Sequence, residues 1–416
     1  MAIIKPFKGV RPPKKLVEEV ACLPYDVMNS EEAAQMAEGK KASLLRITRA
    51  EIEFEKGTDS HSEKVYLHAK SNFDKFQEEK FLVQDVEAKY YIYAQTMNGK
   101  TQYGIVGAAS CQDYVDGIIK KHELTRPDKE EDRKVLSRIL KANIEPVFFT
   151  YRAVPEIDAI VSNIVNNNEA EYDFTAEDGF GHHFWPVEDA QINAELEQLF
   201  KDKVPATYVA DGHHRTAAAA GMSAEFSAKN PNHTGEEPYN FFMAVHFPDD
   251  QLQIIDYNRV VKDLNGLTSE EFTAKVGENF IINEISADVI KPEKLHDFSM
   301  YVGGKWYGLT AKEGTYDDNN PIGSLDVSVL SNCILEPILK IKDLRTSKRI
   351  DFVGGIRGLG ELSKRVDSGE MAVAFALFPV SMDQLMNIAD TGNIMPPKVT
   401  WFEPKLRSGL VINKLD

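Results

Sequence analysis

The sequence predicts an α+β protein of two or three interdependent lobes, and three observations carry that expectation. Aromatic and β-branched runs flank the turn formers Asn98-Gly99, Pro248-Asp249-Asp250 and Gly303-Gly304, the pattern of antiparallel hairpins. Segments of helical period with capping residues fall between them in no regular βαβ order. At 416 residues the chain is longer than one hydrophobic core supports.

Asn29 or Ser30 caps an expected helix over 30–38, which Gly39 stops. The strongest hairpin covers 89–109, turning at Asn98-Gly99. A second helix spans 127–142, with Pro127 in its first turn and acidic residues crowding that turn. Thr207-Tyr208-Val209-Ala210 reads as a short buried strand, Asp211-Gly212 as a tight turn, and 213–227 as an alanine-rich helix. Hairpins follow over 240–261 and 300–310, and a helix over 326–339. The tail reads strand 350–353, helix 359–366, strand 371–379 and helix 382–389. Polar, turn-rich stretches at 53–62, 228–238 and 313–321 read as surface loops or lobe boundaries, and the main division is expected between 1–238 and 239–416.

Lys and Arg number 48 against 65 Asp and Glu, a net charge of −17. Such a surface repels polyanions, so neither nucleic acid nor an anionic membrane is an expected partner. Cys22, Cys111 and Cys333 form no paired motif and read as reduced thiols, consistent with a cytoplasmic protein. The start has no signal-peptide pattern, and the longest apolar run, 371–378, is too short to span a bilayer. The sequence does not fix the oligomeric state.

The chemistry centres on Asp211-Gly212-His213-His214-Arg215-Thr216. Strand, glycine turn and helix is the anion-binding layout, because free amides at the helix start attract phosphate and Gly212 permits close approach. His213, His214 and Arg215 add side-chain donors at the same place. Against this, Asp211 also reads as a plain N-cap with solvated first-turn histidines, a reading that three consecutive donor side chains make less comfortable. A third reading makes Asp211, His213 and His214 ligands of a hydrolytic metal, although adjacent histidines at a helix start diverge by roughly 100°.

The string Tyr208-Val209-Ala210-Asp211-Gly212-His213-His214-Arg215 resembles the signature of the domain of unknown function 1015 family. The resemblance extends over nearly the whole chain. It includes Leu23-Pro24-Tyr25-Asp26-Val27, His122-Glu123-Leu124-Thr125 with Asp132-Arg133, Met395-Pro396-Pro397-Lys398, and Phe402-Glu403-Pro404-Lys405-Leu406. Val399 stands where the family pattern has a small hydroxyl residue, which weakens a phosphate role there. That family is similar to the ParB and sulfiredoxin-like superfamily, so the resemblance implies a mixed-sheet nucleotide-binding core with additional α/β lobes. Its free serine kinases are the functional analogue. Sulfiredoxin chemistry is excluded because His213 occupies the place of the required cysteine.

The resemblance therefore implies phosphotransfer from ATP or ADP, with Mg2+, to a small hydroxyl-bearing metabolite, first of all free L-serine. A nucleotide-binding regulator of the ParB kind and a metal-dependent phosphohydrolase are the alternatives. Gly212, His213, His214, Arg215 and Thr216 are expected at the phosphates, Asp26 or Asp211 as base or Mg2+ ligand, and Glu123 as reserve base. His122, Arg126, Arg133, Lys398 and Lys405 are candidates for a substrate or phosphate clamp, with an ordinary solvated helix start as the competing reading for the group around Pro127. The glycine-rich run Gly354-Gly355-Ile356-Arg357-Gly358 fits neither the dinucleotide fingerprint nor the P-loop and reads as a packing turn. His182 and His183, after Gly179-Phe180-Gly181, read as loop histidines without a partner.

Overall fold

The computed structural model describes residues Met1–Asp416. Its strands fall into two principal sheets, one in each of two units: Met1–Leu252 with Pro404–Asp416, and Gln253–Glu403. In the first unit the strands are β1 (Ile4–Lys5), β2 (Tyr91–Met97), β3 (Lys100–Ser110), β4 (Ile119–Lys120), β5 (Val147–Tyr151), β6 (Tyr172–Thr175), β7 (Gly181–Pro186), β8 (Thr207–Asp211) and β9 (Phe241–Pro248). They form one mixed sheet in the order β4-β8-β5-β9-β3-β2-β7-β6, with β1 beside β3. The β4–β8 and β5–β9 pairs are parallel and the others antiparallel. The fold is α+β.

The β2–β3 hairpin forms as expected, because Asn98 and Gly99 both take positive φ, 52° and 76°, matching the twist of a two-residue turn. The helices of this unit include α1 (Ser30–Ala37), α2 (Glu63–Glu78), α3 (Pro127–Leu140), α4 (Pro155–Asn167), α5 (Ala190–Lys203) and α6 (His213–Lys229). Asn29 caps α1 in a full capping box with Glu32. Ile157 and Val161 of α4 and Leu196 and Phe200 of α5 pack with Ile92 and Ile105, while Ala219 of α6 packs with Val209, Phe149 and Ala244. Apolar residues of α1, α2 and α3, among them Ala33, Phe73 and Leu136, form a further cluster. No helix is long and apolar enough to cross a membrane.

In the second unit β10 (Tyr257–Val261), β11 (Phe280–Ser286), β12 (Asp297–Val302), β13 (Lys305–Ala311), β14 (Ile350–Gly354) and β15 (Val373–Leu377) pair in the order β11-β13-β12-β15-β10-β14. The β12–β13 hairpin turns at Gly303-Gly304, both at positive φ. Strand β14, the helix Gly360–Asp367, strand β15 and the helix Met382–Asp390 follow the expected order of the tail. Gly354 and Gly355 are packing glycines: a Cβ would meet the Trp401 ring at 3.0 Å and Asp256 at 2.2 Å.

Four expectations about individual elements need correction. Residues 240–261 are not a hairpin: β9 pairs with β3 and β5, whereas β10 pairs with β14 and β15. The turn that looked like its apex is tied elsewhere, since Asp249 accepts the Ala153 N–H at 2.9 Å. Helix α3 stops at Leu140 because Lys141 takes the left-handed conformation, and Ala142–Asn143 then pairs with Asn413–Lys414. Residues 326–339 begin as an α-helix at Asp326–Leu330 but continue as a π turn at Ser331–Leu335. His182 and His183 lie in strand β7: His182 is 2.8 Å from the Tyr93 hydroxyl, and His183 is 2.9 Å from Asp173. The expected division after residue 238 differs from that of the two units, which falls after Leu252 because β9 is an interior strand of the first sheet.

Candidate phosphate-binding site

The end of β8 sets the geometry. Its register with β5 shifts between Val209 and Asp211, a bulge that re-aims the strand just before the turn. Gly212 follows at φ +98°, where an added Cβ would lie 3.1 Å from Arg215 Nε, so both the backbone angle and the folded-back guanidinium demand glycine. The first bond of the α6 ladder runs from the Thr216 N–H to the Gly212 carbonyl at 2.9 Å. The amides of His213, His214 and Arg215 therefore precede the ladder at the positive end of the helix dipole. Thr216 is fully buried and its hydroxyl donates to the same Gly212 carbonyl at 3.1 Å, so this expected phosphate ligand is turned inward.

Parallel pairing of β4 with β8, Thr207 opposite Ile119 and Tyr208 opposite Lys120, sends both strands off the sheet in the same direction. That brings His122-Glu123 to His213. The two imidazoles meet edge to face with ring centroids 4.6 Å apart, and His213 Nδ1 is 3.8 Å from a Glu123 carboxylate oxygen. Both rings are buried, and both nitrogens of His122 and Nε2 of His213 take no hydrogen-bond partner within the protein. Burial lowers His122 to about 4 against an opposing pull from Asp211, and burial followed by the neighbouring His122 puts His213 well below the usual imidazole range. Both rings are neutral at physiological pH, each with one N–H and one lone pair.

His214 points to the neighbouring helix start. Its Nε2 accepts the Arg126 backbone N–H at 3.0 Å, which leaves the ring proton on Nδ1. The Arg126 side chain is exposed and pairs with Asp128 at 2.8 Å.

Beneath the turn lies a charge network. Asp211 pairs with Lys405 at 2.9 Å and stands 3.8 Å from Arg215. Burial alone would raise the Asp211 carboxyl; Lys405 and Arg215 outweigh it and hold it well below the usual range. Burial likewise opposes the charge on Arg215, but Asp26, Asp211 and Glu145 overcome it and keep the guanidinium above its ordinary value. Arg215 also donates to the Pro146 carbonyl. Asp26, exposed on the turn Tyr25–Val27, thus acts on the same guanidinium as Asp211, and its charge also acts on His214. No sequence spacing indicated this convergence.

Arg133 is not at the surface of this site. It is buried, stacked 3.7 Å from the Tyr25 ring centre and paired with Asp132 at 2.7 Å and Glu145 at 3.5 Å. Lys398 belongs to the second unit, where its carbonyl accepts from Arg259 at 2.8 Å. Glu145, which no motif in the sequence singles out, is buried and accepts the Tyr25 N–H at 2.9 Å. Burial raises its carboxyl, and Arg133 and Arg215 pull it back. The available signal was a charged residue just before the apolar strand β5, where only a paired carboxylate is tolerated.

The model of the family described as Protein of unknown function (DUF1015) matches residues 4–328. No curated protein sequence matches the chain. Among solved structures the chain is similar to "Free serine kinase in complex with AMP", at 12% identity over 74% of this chain and 91% of that one, TM-score 0.34. It is similar to "SbnI with C-terminal truncation from Staphylococcus aureus" at 10% identity over 73% and 85%, TM-score 0.38. A conserved hypothetical protein from Pyrococcus furiosus aligns at 12% identity over 74% and 95%, TM-score 0.33.

Proposed function

The chain belongs to that family, and we propose that it transfers a phosphoryl group from ATP or ADP to the hydroxyl of a small metabolite, free L-serine giving O-phosphoserine. The observation that carries this reading is the pair of buried imidazoles at the start of α6, with three ring nitrogens that take no partner. A buried polar group left unpaired costs about 1–3 kcal/mol. Each neutral ring has a single N–H to offer, and these N–H groups beside free helix amides suit a ligand rich in acceptor oxygens, as a nucleotide phosphate is.

In this reading the amides after Gly212, the neutral His122 and His213 rings, His214 Nδ1–H and Arg215 hold the phosphates and stabilise charge on the group in transit. Asp211, kept strongly acidic by Lys405 and Arg215, is a weak base. The proton acceptor is therefore assigned to Asp26, with Glu123 in reserve. The acceptor oxygen forms the new bond to phosphorus, the bond to the departing nucleotide breaks, and the hydroxyl proton passes to Asp26. Mg2+ prefers one or two carboxylates with phosphate oxygens and water. Asp211 is tied to Lys405 and stands beside Arg215, so Mg2+ would be carried by the nucleotide's own phosphate oxygens and water, neutralising their charge and leaving Asp26 as the proton acceptor.

The test is incubation with Mg2+, ATP or ADP, and a mixture of hydroxyl-bearing metabolites including L-serine, with products read by mass. Phosphoserine and a donor shorter by one phosphate are expected. Phosphate release at the same rate with and without serine, with no phosphorylated metabolite, would overturn the reading in favour of a phosphohydrolase. Stoichiometric nucleotide binding with no product would turn it toward a regulator.

A further inference from the structure

The first unit holds a cavity of about 400 Å3, within the size range of small-molecule sites. Leu23, Met36, Leu45 and Phe174 supply apolar walls, and Cys22 belongs with them because burial pushes its thiol up and keeps it neutral.

One cation enters the cavity already fixed in place. Arg407 is 8% exposed; its Nε donates to His182 Nε2 at 3.2 Å and its Nη2 to Asp178. Its backbone N–H donates to the Tyr93 hydroxyl at 3.1 Å, and that hydroxyl is 2.8 Å from His182 Nδ1. Neither Asp178 nor His182 takes Nη1. A guanidinium held this way, with one edge open, is a receiver for a carboxylate. Of the glutamates in the lining, Glu19 accepts the Ala42 N–H at 2.8 Å and Glu177 pairs with Lys40 at 2.9 Å. Glu18 lies exposed in the same lining and is available to an ammonium group.

A fixed cation, an available carboxylate and apolar walls in one cavity match a zwitterion with a hydrocarbon side chain. We propose that this cavity binds a free α-amino acid with an apolar side chain, its carboxylate on Arg407 and its ammonium on Glu18, as an effector of the phosphate turn. The effector role follows from the chain itself. Lys405, two residues from Arg407, pairs with Asp211, and Ser408 exchanges backbone hydrogen bonds of 3.0 and 2.9 Å with Cys22. Two residues of extended chain span about 7 Å, so a ligand carboxylate that competes with Asp178 for the Arg407 guanidinium also acts on the segment that carries Lys405.

Calorimetry without nucleotide tests the site, using L-leucine, L-methionine and L-phenylalanine, with 4-methylpentanoate and 3-methylbutylamine as leucine analogues lacking one charge. At least one of the three amino acids is expected to bind once per chain, with the one-charge analogues at least tenfold weaker than leucine. Arg407→Met and Glu18→Gln are each expected to weaken binding at least tenfold; Glu18 is exposed, so its variant tests the site even where loss of Arg407 impairs folding. No binding by any of the three at millimolar concentration, equal binding by leucine and both analogues, or unchanged affinity in Glu18→Gln would overturn the site. A second titration, ADP with and without saturating amino acid, tests the effector role: a severalfold change in Kd supports it and an unchanged Kd removes it. Absence of ADP binding would count against the phosphate turn, while the amino-acid titration stands on its own.

Discussion

Replacing Gly212 by alanine separates the requirement for a special backbone from the general cost of touching α6. At φ +98° an L-residue costs about 1–2 kcal/mol, and the new Cβ would lie 3.1 Å from Arg215 Nε and 3.2 Å from its Cζ. The guanidinium must shift by a few tenths of an ångström, which disturbs its contacts in the charge network, so Gly212→Ala is expected to destabilise by about 1–3 kcal/mol. The same displacement should weaken ADP binding at least tenfold, about 1.4 kcal/mol. Gly221 is the internal control: it lies within α6, and a Cβ there meets only Lys134 Cδ at 3.6 Å and Glu130 at 3.9 Å. Gly221→Ala should stabilise by about 0.5–1 kcal/mol and leave ADP affinity unchanged. Melting curves and calorimetry read both quantities. Wild-type stability and affinity in Gly212→Ala, or equal losses in both variants, would refute the assignment of the turn.

Arg215→Ala should lower nucleotide affinity by about an order of magnitude or more in calorimetry, because its guanidinium carries the cationic face of the turn. Asp26→Asn should keep nucleotide affinity yet cut turnover by about 10²–10⁴-fold, measured against a matched melting curve; retained turnover moves the base to Glu123. His122 makes stability pH-dependent: its folded value of about 4 lies below the ordinary 6.5, so the unfolded chain binds more protons between them. Its contribution is fully present above about 6.5 and is lost as pH falls toward 4, with a slope of up to about 1.4 kcal/mol per pH unit. His122→Gln should show a correspondingly shallower loss in denaturant titrations across that window, and an identical slope would contradict the burial argument.

What the sequence disclosed was local. Asn98-Gly99 and Gly303-Gly304 specify their hairpins because positive φ is written into the residue types, and Asp211-Gly212 announces its strand-to-helix turn for the same reason. What stayed hidden depends on pairings between distant segments. The 240–261 pattern is two genuine strands, but each finds its partners in a different sheet. His122 reaches His213 only through the parallel β4–β8 pair, and Lys405 reaches Asp211 because Pro404–Asp416 returns to the first unit. His182 reads as a loop residue because Gly179-Phe180-Gly181 has loop composition, although Gly181 itself already pairs with Thr96.

The claim that the unpartnered imidazoles await phosphate is tested most directly by nitrogen-15 NMR of protein labelled at histidine, titrated with ADP and Mg2+. Long-range spectra resolve the ring nitrogens, and His122→Gln and His213→Gln assign the two signals. Both rings are expected to be neutral at pH 7 in the free protein, and their nitrogens to shift together, in a saturable way, with His182 and His246 unmoved. Saturable ADP binding that leaves His122 and His213 unshifted would contradict it.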